Sequence, residues 1–340
     1  MLELDIIDAH HHLCNLSQAS YPWLEGSPVA RYHGDDSPLR RDYLLVDYLT
    51  DTCELAALDA QLVGSVHIEN GAADPVRESV WIDKVISANG IPTVQVVKVD
   101  LTSTTARDEL AHHANLPSVR GVRDILNWHP NSLYTHRDRP DLMTDPAWLD
   151  GFAAIAEFRL SFDLQVFPAQ LEKAAALAAA HGDIPIVLDH AGMPIERDPE
   201  ALHWWKQQLA KVAAEPNTAV KISALGTNDH RWTIDSIRRI VLDTIDVFGP
   251  SRCMFASNFP VDGLYSTLGE LFRVFDTITT GFSHSERADL FAGAARSFYR
   301  IQSAALSDIA DDLGDASTAP RAARSPHPVG GEVSHPKDRS

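Results

Sequence analysis

Two periodicities alternate along the chain. Short runs with strand character recur at Leu4–Ala9, Leu62–Ile68, Thr93–Val99, Val119–Ile125, Phe162–Phe167, Ile184–Leu188, Thr218–Ile222 and Cys253–Ala256. Longer stretches with helical spacing lie between most of them. Leu171–Ala180 is rich in alanine, and Ile234–Phe248 is closed by Gly249 and Pro250, a common helix stop. Strands that alternate with helices predict a parallel sheet. Eight of them over roughly 300 residues suit a (β/α)8 TIM barrel of the α/β class. A doubly wound open sheet is the alternative, but neither GxGxxG nor GxxxxGK[ST] occurs to support it.

The segment Asn15–Pro38 breaks the alternation with Tyr21-Pro22-Trp23-Leu24, several prolines and Asp35-Asp36. It follows the first strand, so in a barrel it lies over the C-terminal mouth. Residues 15–40 therefore read as a lid, or else as a purely structural loop. A last helix is expected over Glu286–Ile301. The barrel is expected to span residues 1–302, and the Ala/Ser/Pro-rich composition of 303–340 predicts a disordered tail.

Composition narrows the function. Formal charge is −18, from 29 basic and 47 acidic residues. An acidic surface repels nucleic acid and anionic lipid, so the expected partner is a small molecule. Cys14, Cys53 and Cys253 form no CxxC pair, which disfavours a disulfide framework and fits a reducing, cytoplasmic compartment. No signal-peptide pattern and no long uncharged apolar run stands out. Barrels of this kind often pair, so a homodimer is allowed, but no interface is specified.

The candidate chemistry is a recurrence at strand ends, where apolar residues give way to polar ones. Residues two apart on a strand share a face. The first strand ends Asp8-Ala9-His10-His11-His12, so His10 and His12 can converge on a divalent metal or a polarised carbonyl. By the same parity His67 and Glu69 pair at the end of the second strand. Arg123 on the fourth can hold a carboxylate or a sugar hydroxyl, or else form a structural ion pair. The loop after it offers Asn127, Trp128 and His129. Gln165, Lys221 and Ser223 read either as substrate contacts or as buried polar groups satisfied by neighbours. His190 precedes a Gly/Pro loop and suits a ligand or proton carrier. Asn258 points inward from the eighth strand. Asp262 follows one turn later, as a helix cap or as a carboxylate reaching in. No GxSxG elbow occurs, so a serine nucleophile is disfavoured.

Six segments together resemble the amidohydrolase-related proteins. They are Ile7-Asp8-Ala9-His10-His11-His12-Leu13, Tyr21-Pro22-Trp23-Leu24, Val122-Arg123-Asp124-Ile125-Leu126, Leu188-Asp189-His190-Ala191-Gly192-Met193-Pro194, Val220-Lys221-Ile222-Ser223-Ala224-Leu225-Gly226 and Phe255-Ala256-Ser257-Asn258-Phe259-Pro260. The branch that they are most similar to includes sugar-acid lactonases and the pyrone-dicarboxylate lactonase. The resemblance implies that His10 and His12 match a metal-binding pair and that His190 polarises the scissile carbonyl or binds the attacking water. It also implies an aspartate base on the last strand, where this chain carries Asn258. An amide accepts no proton at neutral pH. Asp262, His190 or Glu69 would then be the base, or the chemistry is altered. One anionic metal ligand is missing as well, so both one divalent ion, zinc first, and a metal-independent reaction stay open. The implied activity is lactone hydrolysis. A zinc-dependent decarboxylase and a non-catalytic binding barrel are the alternatives.

Overall fold

The structure, a computed structural model, describes residues 4–27 and 31–302. Eight parallel strands pair in sequence order: β1 Leu4–His11, β2 Ala60–Ile68, β3 Val94–Lys98, β4 Val119–Ile125, β5 Ser161–Gln165, β6 Ile186–Leu188, β7 Thr218–Ile222 and β8 Cys253–Phe255. The ring is joined between its first and last strands. Asn258 N donates to His10 O at 2.7 Å, and His12 N donates to Phe259 O at 2.7 Å. An open doubly wound sheet has no such closure, so the fold is a (β/α)8 barrel. The tail expected over residues 303–340 lies outside the described residues.

The surrounding helices are α1 Pro22–Glu25, α2 Leu45–Thr52, α3 Pro75–Asn89, α4 Ala106–Ala114, α5 Pro146–Ala154, α6 Leu171–Ala180, α7 Pro199–Ala213, α8 Ile234–Phe248, α9 Leu268–Ile278, α10 His284–Ala288 and α11 Ala294–Phe298. Three of them start with an Asp-Pro pair. Asp74, Asp145 and Asp198 each accept a backbone N–H of the first turn, while the following proline needs no hydrogen-bond partner there. Helix α8 buries Ile237, Ile240, Val241, Thr244, Ile245 and Phe248, an i, i+3, i+4 stripe that faces the barrel.

Two expected boundaries shift for local reasons. Strand β6 begins at Ile186 rather than Ile184, because Ile184 N turns back to His181 O and Pro185 has no N–H to offer a ladder. The single last helix expected over Glu286–Ile301 is instead α10 and α11, joined by a wider π-turn at Asp289–Gly293.

Inside the barrel, Ile7, Ala9, Val66, Ile68, Val94, Val96, Val187, Ala219, Met254 and Ala256 form the apolar lower layers. Outward residues of the same strands, such as Val122, Phe162, Ile186, Val220 and Phe255, pack in the larger apolar cluster with the helices. This alternation aims the residues beyond the apolar layers at the C-terminal mouth.

Candidate active site

Continuing the inward parity upward brings Arg123 on β4, Asp163 and Gln165 on β5, Asp189 after β6, and Lys221 and Ser223 on and after β7 to one level. The register of β1 against β2 is irregular between Asp8 and His11. Ala9 belongs to the interior, and the irregularity lets His10 turn inward as well. His11 then faces out, stacked on Tyr48 at 3.9 Å and 3.0 Å from Ser65 Oγ. Behind β1, Asp8 ties the barrel seam: it accepts from Ser257 N at 2.8 Å, Ser257 Oγ at 2.6 Å and Tyr48 OH at 3.0 Å.

The floor of the mouth is a buried ionic cluster. Lys221 Nζ donates to Asp163 Oδ2 at 2.5 Å and lies 3.2 Å from both Asp189 Oδ1 and His10 Nδ1. Asp163 also accepts from Tyr299 OH at 2.7 Å. Arg123 donates to Glu69 Oε1 at 3.1 Å and to Gln165 Oε1 at 2.5 Å, with its Nε 3.3 Å from Asp189 Oδ2. Burial alone would raise the Asp189 carboxyl. Lys221, His10 and Arg123 together outweigh it and hold Asp189 well below the ordinary carboxylate range. In Asp163 burial wins over the Lys221 ammonium, and its value rises to about 6. Burial also lowers His10 well below its usual value, with Lys221 adding to the effect, and it lowers His190 to about 3. Both imidazoles are neutral at pH 7.

Above this floor opens a cavity of about 450 Å³. His12, Glu69, Arg123, Asn127, Gln165, His190 and Asn258 line it from the strand ends, with Lys98 from β3. Pro22, Trp23, Arg31, Tyr32 and His33 of the segment after β1 close over it, opposite Tyr134 and His136. Tyr32 stacks on Tyr134 at 6.1 Å, and Trp23 Nε1 donates to Asn70 O at 2.7 Å.

Several residues at the rim hold the backbone in the left-handed region. His190, Ala191 and Met193 have φ of 58°, 54° and 48°, and Asn258 has φ of 55°. Such strain in non-glycine residues needs surrounding contacts to fix it. Trp205 Nε1 supplies one by donating to Ala191 O at 2.8 Å.

Asp262 does not line the cavity. It stands behind Asn258, accepting from its Nδ2 at 2.8 Å and from Gly226 N at 3.2 Å. Burial raises its carboxyl from 3.8 to about 7, and the two hydrogen bonds only moderate the rise. The sign follows from linkage: a carboxyl raised in the folded state favours folding when protonated, and that contribution is lost as pH rises. Wild-type stability should therefore carry a falling component between pH 3.8 and about 7. Asp262→Asn should flatten it, as measured by urea unfolding across that range; an unchanged slope would count against the assignment.

Other sequence-derived positions are rearranged. His67 does not share the face of Glu69 in the structure. Ile68 points inward, so His67 turns to the outer layer, where Nδ1 accepts from Leu13 N at 3.1 Å. Glu69 enters the cavity only because the chain leaves the strand after Ile68. Lys221 lies beneath the cavity rather than on its wall. Asn127 reaches the wall and accepts from Gln165 Nε2 at 2.9 Å, whereas Trp128 and His129 do not line it. Ser223 Oγ lies 2.8 Å from His190 Nδ1. Asp189, Asp163, Tyr299 and Lys98 were absent from the sequence-based set. Parity with Gln165 and Val96 marks Asp163 and Lys98 as inward, but nothing local marks Tyr299.

The potential metal ligands also differ from a His10–His12 pair. The donor atoms of His10, Asp189 and His190 lie within 4.8 Å of one another, and all three residues are buried. His10 Nε2 has no hydrogen-bond partner among the described residues. With Nδ1 of His190 at Ser223, its Nε2 is left for another partner. Two imidazoles and one carboxylate are a donor set suited to zinc, so the residues present fit a divalent ion. His12 is outside that group, although its ring centre lies 5.0 Å from that of His10. Its Nδ1 lies 2.9 Å from Ile68 O, an acceptor only, so Nδ1 carries the hydrogen and Nε2 keeps its lone pair.

The family profile described as Amidohydrolase matches residues 7–301. The chain belongs to the amidohydrolase family. Among relatives of this amidohydrolase, an uncharacterized Sinorhizobium fredii protein, y4mH, is 36% identical over 303 residues, covering 88% of this chain and all of its own length, 100%. An L-fucono-1,5-lactonase of Burkholderia multivorans is 28% identical over 306 residues, covering 87% of this chain and 96% of that one. A solved Burkholderia multivorans amidohydrolase with bound HEPES superposes with a TM-score of 0.73 at 25% identity, covering 87% and 99% of the two chains. The family acts on small molecules. No helix among the described residues is long and apolar enough to cross a membrane.

Proposed function

We propose that this amidohydrolase opens a cyclic ester, a sugar-acid or carboxylated lactone, by attack of water on a polarised carbonyl. The observation that carries the reading is the convergence of His10, Asp189 and His190 at the bottom of a cavity walled by Arg123, Gln165 and Asn258. The likeness to an L-fucono-1,5-lactonase over most of both chains supports it.

Neutral His190, on the cavity wall, aims a donor or lone pair at the carbonyl oxygen without adding charge, and neutral His10 lies buried beside it, 4.7 Å between ring centres. Arg123, locked between Glu69, Gln165 and Asp189, offers the remaining hydrogen of its second terminal nitrogen to a ring substituent. Glu69 is the carboxylate on the cavity wall. Burial would raise it, but Arg123 and Lys98 bring it below its usual value, so it is ionised and receives the proton of the attacking water. Asp262 acts through Asn258, fixing its amide toward the cavity. The segment after β1 acts as the lid that excludes bulk water. His10, Asp189 and His190 would hold one divalent cation, whose chemistry there is Lewis-acid polarisation of the carbonyl.

A pH-indicator screen of the purified protein against sugar-acid, muconate-type and pyrone lactones tests the reading. Proton release on one of them supports it, and silence across the panel with folded protein overturns it. Dialysis against a chelator should remove about one equivalent of metal per chain, by elemental analysis, and lower the rate at least tenfold, with zinc restoring both. Full activity in metal-free protein would remove the cation from the scheme.

A further inference from the structure

The cavity lining carries more positive than negative side chains. Arg31, Lys98 and Arg123 line it against a single carboxylate, Glu69. Arg123 is taken by Glu69 and Asp189. Arg31 lies 3.3 Å from Asp36, a buried residue of the same lid segment. Lys98 alone has no ion pair and no side-chain hydrogen bond among the described residues. It ends β3, follows Val94 and Val96 in the inward parity, and is the register partner of Arg123 on β4. Its ammonium is therefore presented to the cavity in a chain whose net charge is −18, where surplus carboxylates are plentiful elsewhere.

We infer that Lys98 binds an exocyclic carboxylate of the substrate, so that the preferred lactone is one bearing a free acid group rather than a neutral sugar lactone. The inference rests on the lactonase reading and names the substrate class within it. The geometry supports a division of the cavity. His190 follows β6, three strands around the ring from Lys98, with Arg123 and Gln165 between them. A ring whose carbonyl meets His190 presents its far substituent toward β3. One ammonium with no ion pair or hydrogen bond of its own among the described residues matches one carboxylate, whereas a phosphate dianion would leave a surplus negative charge beside Glu69. Tyr32, Tyr134 and Trp23 cover the ring itself without adding charge.

The test compares two lactones with the same five-membered ring: glucono-1,4-lactone, which ends in a hydroxymethyl group, and glucaro-1,4-lactone, which ends in a carboxylate. Wild-type kcat/KM is expected to favour the carboxylated compound at least tenfold, mostly through KM, the scale of one charge-assisted hydrogen bond. Lys98→Met should reduce that preference about tenfold or more, and Lys98→Arg should restore part of it. Equal kcat/KM for the two lactones in wild type, or a preference that survives Lys98→Met in folded protein, overturns the inference. Calorimetric titration with the same two compounds separates it from the lactonase reading. If neither is hydrolysed but the carboxylated one binds more tightly in wild type than in Lys98→Met, the carboxylate site stands while the reaction assignment falls. Equal binding overturns the site itself.

Discussion

Asparagine in place of His190 is expected to lower kcat/KM for the hydrolysed lactone by about 10³-fold while moving the unfolding midpoint little. The two halves of that result have separate causes. His190 sits at φ 58°, ψ 37°, a left-handed conformation that most side chains resist. Asparagine is one of the few residues that enters it readily, so the backbone of the rim survives the change. The amide can still reach Ser223 Oγ, now 2.8 Å from His190 Nδ1. What disappears is the second ring nitrogen, on a ring whose centre lies 4.7 Å from that of His10. Steady-state kinetics paired with urea unfolding would show the separation. A loss below tenfold with intact folding would place the chemistry elsewhere in the cavity.

Lys221→Met should produce the largest loss of stability, about 3–5 kcal/mol by urea unfolding at pH 8. Its ammonium is wholly buried and shared by Asp163 and Asp189, which are wholly buried too. Removing it leaves the two carboxylates with only Tyr299 OH, Arg123 and His10 around them. Both carboxyls then rise in the folded state. A raised carboxyl favours the fold while protonated and loses that contribution as pH rises. The variant should therefore be less impaired at pH 5 than at pH 8. An equal penalty at both would show that lost packing, not stranded charge, causes the damage. The double variant with Asp163→Leu should recover part of the loss, since a buried ion pair replaced on both sides by apolar groups is often nearly neutral.

Much of this arrangement was legible in the chain because a barrel turns alternation into direction. Strand β4 is found at its expected bounds, and Arg123 lies where parity put it. Gln165, His190 and Asn258 reach the cavity from three further strand ends. Parity failed where the chain stops being a strand. His67 and Glu69 are two apart, yet the backbone turns between them, and one packs outside while the other faces in. At β1 the irregularity lets neighbouring residues, Ala9 and His10, both face inward, which no period of two predicts. Asp262 looked like the missing base because its distance from Asn258 allowed it to reach in. The left-handed turn at Asn258 folds the carboxylate back onto the amide instead. The Lys221 cluster joins β5, β6, β7 and the end of α11, and contacts spread so far along the sequence leave no local trace.

Tyr299 carries one more implication, for the order in which the molecule becomes competent. It follows α11, yet its hydroxyl completes the hydrogen bonding of Asp163 at 2.7 Å and its ring lies 5.5 Å from Lys221 Nζ. A nascent chain that has already emitted all eight strands still lacks this hydroxyl and this ring. The buried charge cluster is thus completed by a residue synthesised after the last strand, so translation supplies the barrel wall before the group that finishes its floor.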